Sequence, residues 1–143
     1  MGPYESRTFR LGSRARGDEP LRLVGLTTLE LADFESQGVA MAAVPATPGP
    51  GEFRVHVAGI EAGGTIGAHP ARTWQLFVVV LGTCRVAAEG TDPVVVNPGE
   101  AVLWDPGEVH QCWADTDVVA LIIQSTAEPD LTDLAPAQND HVY

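Results

Sequence analysis

The sequence has no lysine, only two cysteines, few aromatic residues and no long apolar run. The 143 residues carry a net charge of −11 at pH 7, and most of the eight arginines lie in the first 22 residues. Nucleic-acid affinity depends on clustered positive charge, and the chain after this basic segment is strongly acidic. We therefore expect no nucleic-acid partner.

Scarce cysteine and the lack of long apolar runs also limit where the protein functions. Cys84 and Cys112 do not form a C-x-x-C pair, and two cysteines are too few for a disulfide framework. No run reaches the roughly 18 apolar residues that span a bilayer, and the amino terminus does not have the order of a signal peptide. We predict a cytoplasmic protein without membrane association. The composition, rich in Ala, Gly, Val and Arg, suggests a GC-rich bacterial source.

The length suits one domain, and short alternating segments indicate that it is all-β. We predict an amino-terminal arm over 1–20, a single barrel domain over 21–124 and a tail over 125–143. Turns containing Gly, Pro, Asn and Asp separate seven or so short strands, which favours an antiparallel jelly roll. The predicted strands of the regular part are 53–58, 74–81, 83–87, 94–96, 101–104, 109–114 and 118–124. Earlier strands are expected at 21–26 and 39–44, residues 28–34 fit a helix or a strand, and a helical turn is expected near 129–134.

Two histidines are the main candidates for chemistry. His69 follows a glycine-rich turn that begins at Gly63, and His110 follows the turn Asp105-Pro106-Gly107-Glu108. Imidazoles on two strands of one small barrel can meet at a single metal ion or substrate. We therefore expect these two rings to lie close together inside the barrel.

The order of these turns resembles the two motifs of the cupin superfamily. Gly64, His69, Gln75 and Gly82 resemble the first motif, and the segment from Pro98 to His110 resembles the second. The resemblance covers roughly residues 52–124 and implies a jelly-roll barrel with a mononuclear metal site. In that family two histidines and a glutamate come from the first motif, and one histidine comes from the second.

The metal motifs of this chain are incomplete. His69 and His110 match two ligands, whereas Ala71 stands at the second histidine and Gln75 at the glutamate. If the chain stays extended, His69, Ala71, Thr73, Gln75 and Phe77 share one face, and His110 shares a face with Cys112. A set of His69, His110, Gln75 and Cys112 would hold zinc, iron, copper, nickel or manganese weakly, or the site is metal-free.

Each candidate residue also has a purely structural interpretation. The histidines and Gln75 can form a buried hydrogen-bonded network without a metal, and Cys112 can be a small core residue. Four further residues are candidates for a substrate pocket, although each can also serve packing alone: His56, Trp74, Phe77 and Trp104.

Two functions remain open at this point. The first is an enzyme acting on a small organic acid or ketone, of isomerase, cyclase, decarboxylase or oxygenase type, as the resemblance implies. His69 or His110 would then be the general base, and Gln75 would orient the substrate. The second is a non-catalytic ligand-binding or sensor barrel with a degenerate metal site. A homodimer is expected through the early strands, because unpaired edges tend to be covered.

Overall fold

The computed structural model describes residues 25–44, 51 and 53–132, and β-strands make up most of this part of the chain. The nine strands are β1 (Thr28–Glu30), β2 (Gln37–Val44), β3 (Phe53–Pro70), β4 (Trp74–Leu81), β5 (Cys84–Ala88), β6 (Val94–Val96), β7 (Ala101–Trp104), β8 (Val109–Ala114) and β9 (Val118–Ser125). A single 3-10 turn covers Asp33–Glu35. No helix in the described part is long and apolar enough to cross a membrane.

All nine strands belong to one antiparallel sheet that curls into a nearly closed barrel. Its path runs β6-β5-β8-β3-β9-β4-β7, with β2 paired to β3 and β1 paired to β2. The predicted antiparallel jelly roll is therefore confirmed. The long strand β3 organises the fold, because Phe53–Ile60 pairs with β9 and the stretch from Thr65 to Pro70 pairs with β8.

Alternation along the strands selects the inward side chains. In β8 the buried positions are His110, Cys112 and Ala114, and in β4 they are Gln75, Phe77 and Val79. This period of two is the ordinary consequence of the pleat. Three polar residues are nonetheless buried in the described part of the chain: Ser36, Gln75 and His110.

Several predicted boundaries change in the structure. The expected turn at Gly63–Gly67 is wrong, because β3 continues through it with a bulge between Ile66 and His69. The predicted strand at 21–26 lies mostly outside the described residues, and the ambiguous segment 28–34 contains β1 and the start of the 3-10 turn. Residues 129–131 have no regular secondary structure, Thr132 lies in a turn, and residues 133–134 lie outside the described part, so the helical turn expected near 129–134 stays a prediction.

Candidate functional site

A cavity of about 290 Å³ lies between inward-facing side chains of the barrel. Its apolar wall contains aliphatic, aromatic and sulfur-containing side chains: Leu31, Phe34, Met41, Ile66, Phe77, Trp104, Cys112 and Ile122. Its polar groups are arginines, imidazoles and amides: Arg54, Arg72, His56, His69, His110, Gln75 and Gln124. No aspartate or glutamate of the described residues lines the cavity.

Strand register explains how these residues meet. Arg54 on β3 lies opposite Gln124 on β9, Gln124 lies opposite Gln75 on β4, and Gln75 lies opposite Trp104 on β7. One row across four strands therefore supplies much of the polar wall. A second pairing places His69 of β3 directly opposite His110 of β8.

The two imidazoles lie next to each other, with ring centroids 4.4 Å apart and a 58° angle between the planes. Nδ1 of His69 lies 2.7 Å from the carbonyl of Gly67, and Nδ1 of His110 lies 3.1 Å from the carbonyl of Glu108. A carbonyl only accepts, so these partners assign the proton to Nδ1 in both rings. In its neutral form, each ring then presents its Nε2 lone pair on the opposite side.

The two Nε2 atoms have different surroundings. Nε2 of His110 lies 3.2 Å from Nε2 of Gln75, whereas Nε2 of His69 has no hydrogen-bond partner among the described residues. Burial lowers the pKa of His110 below its ordinary value of 6.5, and the nearby His69 adds to this while the bond to Glu108 opposes it. His110 is thus neutral, and its Nε2 lone pair accepts a hydrogen bond from Gln75. The Nε2 lone pair of neutral His69 remains available to act as a base.

Aromatic rings cover the faces of both imidazoles. Phe34 stacks on His69 at 4.5 Å and 14°, and Trp104 stacks on His110 at 4.1 Å and 19°. Phe77 contacts Trp104 in turn, at 5.8 Å. This stack leaves the ring edges, which carry the nitrogens, as the chemically accessible parts. It also fixes both ring planes by packing.

Phe34 belongs to a short cap between β1 and β2, which we define as residues 31–36. Phe34 and Glu35 both have left-handed backbone angles, with φ of 59° and 58°, which is strained for non-glycine residues. Gly67 accommodates the cap, because a Cβ there would lie 1.5 Å from the carbonyl oxygen of Phe34. The Gly67 N–H also donates to the hydroxyl of Ser36 at 3.2 Å.

The sequence-predicted pocket residues divide into two groups. Phe77, Trp104 and His56 line the cavity, and the buried Nδ1 of His56 has no hydrogen-bond partner among the described residues. Trp74 does not line it, because it alternates with the inward Gln75 and lies on the other face of β4. The assumption of one extended face from His69 to Phe77 fails because the chain leaves the strand at 71–73. Arg72, rather than Ala71 or Thr73, reaches the cavity there.

Cys112 lines the cavity, but its thiol is engaged elsewhere. It hydrogen-bonds with the thiol of Cys84, and this bond together with burial raises the pKa of Cys112. A metal ligand must be a thiolate, and a raised pKa disfavours that form. Cys112 lines the same cavity as the two imidazoles, and its role as a ligand beside them stays a prediction.

The described side chains do not fit a metal ion. No group of three His, Cys, Asp or Glu residues in the described part could hold one. Gln75 turns its amide nitrogen, rather than its oxygen, toward His110. Two imidazoles alone leave a divalent ion undercoordinated. We therefore assign no chemical step to a metal.

The aliphatic and methionine side chains of the wall were missed in the sequence, and so were four residues that bear on the chemistry: Phe34, Arg54, Arg72 and Gln124. Arg54 and Gln124 become visible only through the pairing of β3, β9 and β4, which a single sequence does not reveal. Phe34 reaches the cavity because the cap has unusual backbone angles, and the sequence does not indicate these angles. Arg72 had a usable signal, since it is a lone arginine between the two candidate residues His69 and Gln75.

An antiparallel jelly roll with an internal, imidazole-lined cavity defines a class of small-molecule barrels, and the comparisons identify the family. The sequence profile described as the cupin domain matches residues 56–124. The chain belongs to the cupin superfamily, whose members often hold a metal ion. No curated protein matches the sequence.

Solved structures support the same fold. A cupin-like protein of Thermotoga maritima is 19% identical, with a TM-score of 0.63 over 78% of this chain and 92% of its own. The polyketide cyclase RemF of Streptomyces resistomycificus is 16% identical, with a TM-score of 0.63 over 77% and 82%. A predicted oxalate decarboxylase of Thermotoga maritima is 18% identical, with a TM-score of 0.60 over 70% and 93%. At these identities the similarity shows the fold.

Proposed function

We propose that the cavity binds a small organic acid and that His69 acts on it as a general base. The observation that carries this proposal is the presence of two arginines in the cavity wall. Of the three arginines in the described residues, Arg54, Arg72 and Arg85, the first two line the cavity. No acid of the described part joins them, although the whole chain has a net charge of −11.

A carboxylate is the ligand group that matches this lining. A guanidinium such as that of Arg72 can bind a carboxylate through two parallel hydrogen bonds. The cavity volume is near the lower end for ligand pockets, so the ligand is small, and the rings of Phe77 and Trp104 pack against its carbon skeleton. A second polar group on the ligand would pair with the unpartnered Nδ1 of His56.

The available lone pair of His69 supports proton transfer at carbon. In this step the C–H bond beside a carbonyl breaks, its proton moves to Nε2 of His69, and its electron pair moves onto the carbonyl oxygen as an enolate. Gln75 has a second amide hydrogen that is free to donate to that oxygen. An enolate is common to isomerisation, aldol-type cyclisation and decarboxylation of keto acids. Cyclisation and decarboxylation are also the reaction types named for two proteins of the same fold.

Deuterium exchange tests the proposal. The protein is incubated in D₂O with a panel of 2-oxo and 3-oxo carboxylic acids, and NMR measures loss of the α-proton. We expect exchange above the buffer rate for at least one acid. The variant His69→Gln should abolish this exchange while ligand binding persists, and Arg85→Gln should behave as wild type. Exchange that is unchanged in His69→Gln would remove His69 from the role.

A non-catalytic binding protein is the second candidate. The observation that supports it is that no carboxyl group of the described residues lines the cavity to act as an acid partner of His69. The same experiment distinguishes the two functions. Saturable binding of an acid without any enhanced exchange would support the binding protein.

A further inference from the structure

The orientation of the Gln75 side chain follows from its two partners. Its Oε1 lies 3.3 Å from Nε2 of Gln124, which can only donate, so Oε1 is the acceptor there. The other end of the amide, Nε2, therefore faces Nε2 of His110 at 3.2 Å and donates to its lone pair. The hydrogen bonds run in one direction, from Gln124 through Gln75 to His110.

This direction determines what can approach His110. A cation needs the lone pair of His110 and would also use the amide oxygen of Gln75, but the lone pair is occupied and the oxygen points to Gln124. Rotating the Gln75 amide alone, with Gln124 unchanged, would expose its oxygen but would break both hydrogen bonds and set the amide nitrogen of Gln124 against that of Gln75. Each lost hydrogen bond lowers cation affinity by roughly 2- to 10-fold.

The electrostatic lining of the cavity acts in the same sense. Arg72 adds a positively charged group to the wall beside Arg54, and no acidic side chain of the described residues lines the cavity, although the carboxylate of Glu108 acts on His110 from outside it. Arginine side chains in the wall disfavour a divalent cation close to them and favour an anion. The polar network and the charge of the wall therefore favour the same kind of ligand.

We propose that Gln124 is a positioning residue that fixes the amide of Gln75 and thereby keeps the His69–His110 pair as a metal-free site for anions. Gln124 lies opposite Gln75 on the neighbouring strand β9, so the sheet itself holds the two amides in register. Gln124 contributes through Gln75, and reversing the polarity of its side chain should reverse the orientation of the amide.

The variant Gln124→Glu makes this reversal with almost the same shape. A glutamate at 124 accepts rather than donates, so it should draw the amide nitrogen of Gln75 toward itself and turn Oε1 toward His110. Nε2 of His110 would then face an oxygen and would favour a proton or a metal ion as its partner. Gln111→Glu is the matched control. It introduces the same negative charge on β8, at a side chain that does not line the cavity.

Cobalt binding is measured by isothermal titration calorimetry and by the visible spectrum of Co²⁺, on full-length protein treated with a chelator. We expect wild type and Gln111→Glu to bind Co²⁺ weakly and equally, and Gln124→Glu to bind it at least about 10-fold more tightly. The tighter binding should disappear in the double variant that also carries His110→Gln. Equal affinity in Gln124→Glu and Gln111→Glu, or tight stoichiometric Co²⁺ binding by wild type, would overturn the proposal.

Nitrogen NMR gives a readout that a merely structural role of Gln124 would not change. In wild-type protein labelled with ¹⁵N, His110 should be the Nδ1–H tautomer, with a scalar coupling across the hydrogen bond between Nε2 of Gln75 and Nε2 of His110. This coupling should vanish in Gln124→Glu and persist in Gln111→Glu. Its absence from wild type would refute the assigned orientation. Neither experiment uses an organic ligand, so the results are independent of whether a carboxylate binds.

Discussion

The variant Gly67→Ala tests how the cap is held over His69. A Cβ at this position would lie 1.5 Å from the carbonyl oxygen and 2.7 Å from the carbonyl carbon of Phe34, so the backbone of the cap must move away. Two interactions are then lost: the hydrogen bond from Gly67 to Ser36 and the stacking of Phe34 on His69. Each contributes about 0.5–1.5 kcal/mol, so the free energy of unfolding should fall by about 1–3 kcal/mol.

Release of backbone strain keeps the loss within that range. Phe34 and Glu35 would leave their left-handed conformations when the cap moves, which offsets part of the cost. Urea denaturation followed by tryptophan fluorescence measures the change. Gly59→Ala on the same strand is the control, because its Cβ would meet nothing closer than 3.9 Å. A loss equal to that of Gly59→Ala would refute the close packing of cap and strand, and a loss above about 4 kcal/mol would mean that β3 itself is disrupted.

Three further predictions concern pH, charge and assembly. The pKa of His110 in the folded protein is below its unfolded value near 6.5, so the unfolded chain binds this proton at a higher pH than the folded protein does. The free energy of unfolding should therefore fall as the pH drops through 6.5 and level off below the folded pKa. Urea unfolding from pH 8 to 5 measures this, and the fall should be smaller in His110→Gln. Arg72→Gln should weaken binding of an organic acid by about 10- to 100-fold, as measured by calorimetry. Arg85 pairs with Asp115 outside the cavity, so Arg85→Gln should bind the acid as wild type does. Equal losses in the two variants would contradict a local role for Arg72. We also propose a homodimer through the edge of β1, where Leu29 is 68% exposed. Light scattering should show a dimer for wild type and a monomer for Leu29→Lys, and a monomeric wild type would contradict the proposed dimer.

The sequence was sufficient for the strands whose inward faces follow a simple alternation. The inward positions of β8, which include His110 and Cys112, alternate as the pleat requires, and the expected meeting of His69 with His110 is what the register of β3 and β8 produces. The continuous strand through Gly63–Gly67 was not predictable from glycine content. Gly67 serves close approach of the cap rather than a reversal of the chain.

The candidate site was predictable only where one motif carried the information. Gln75 was recognisable by its place in the first motif, but the direction of its amide depends on Gln124, which lies 49 residues further along the chain. Trp74 was predicted to line the pocket together with Phe77, although alternation along β4 puts Trp74 on the face opposite Gln75 and Phe77. Cys112 remained a candidate ligand because its contact with Cys84 follows from the pairing of β5 and β8, which the sequence alone does not reveal.

The most direct test of the account compares acids with their neutral amides in the wild-type protein. Each carboxylic acid of the panel is titrated beside its matched carboxamide, and the side-chain nitrogen resonances of His69 and His110 are followed by NMR. We predict saturable shifts with at least one acid, weakened by salt, and at least about 10-fold weaker binding of its amide. Equal affinity for acid and amide, or shifts caused by Zn²⁺ and by none of the acids, would contradict an anion-binding cavity.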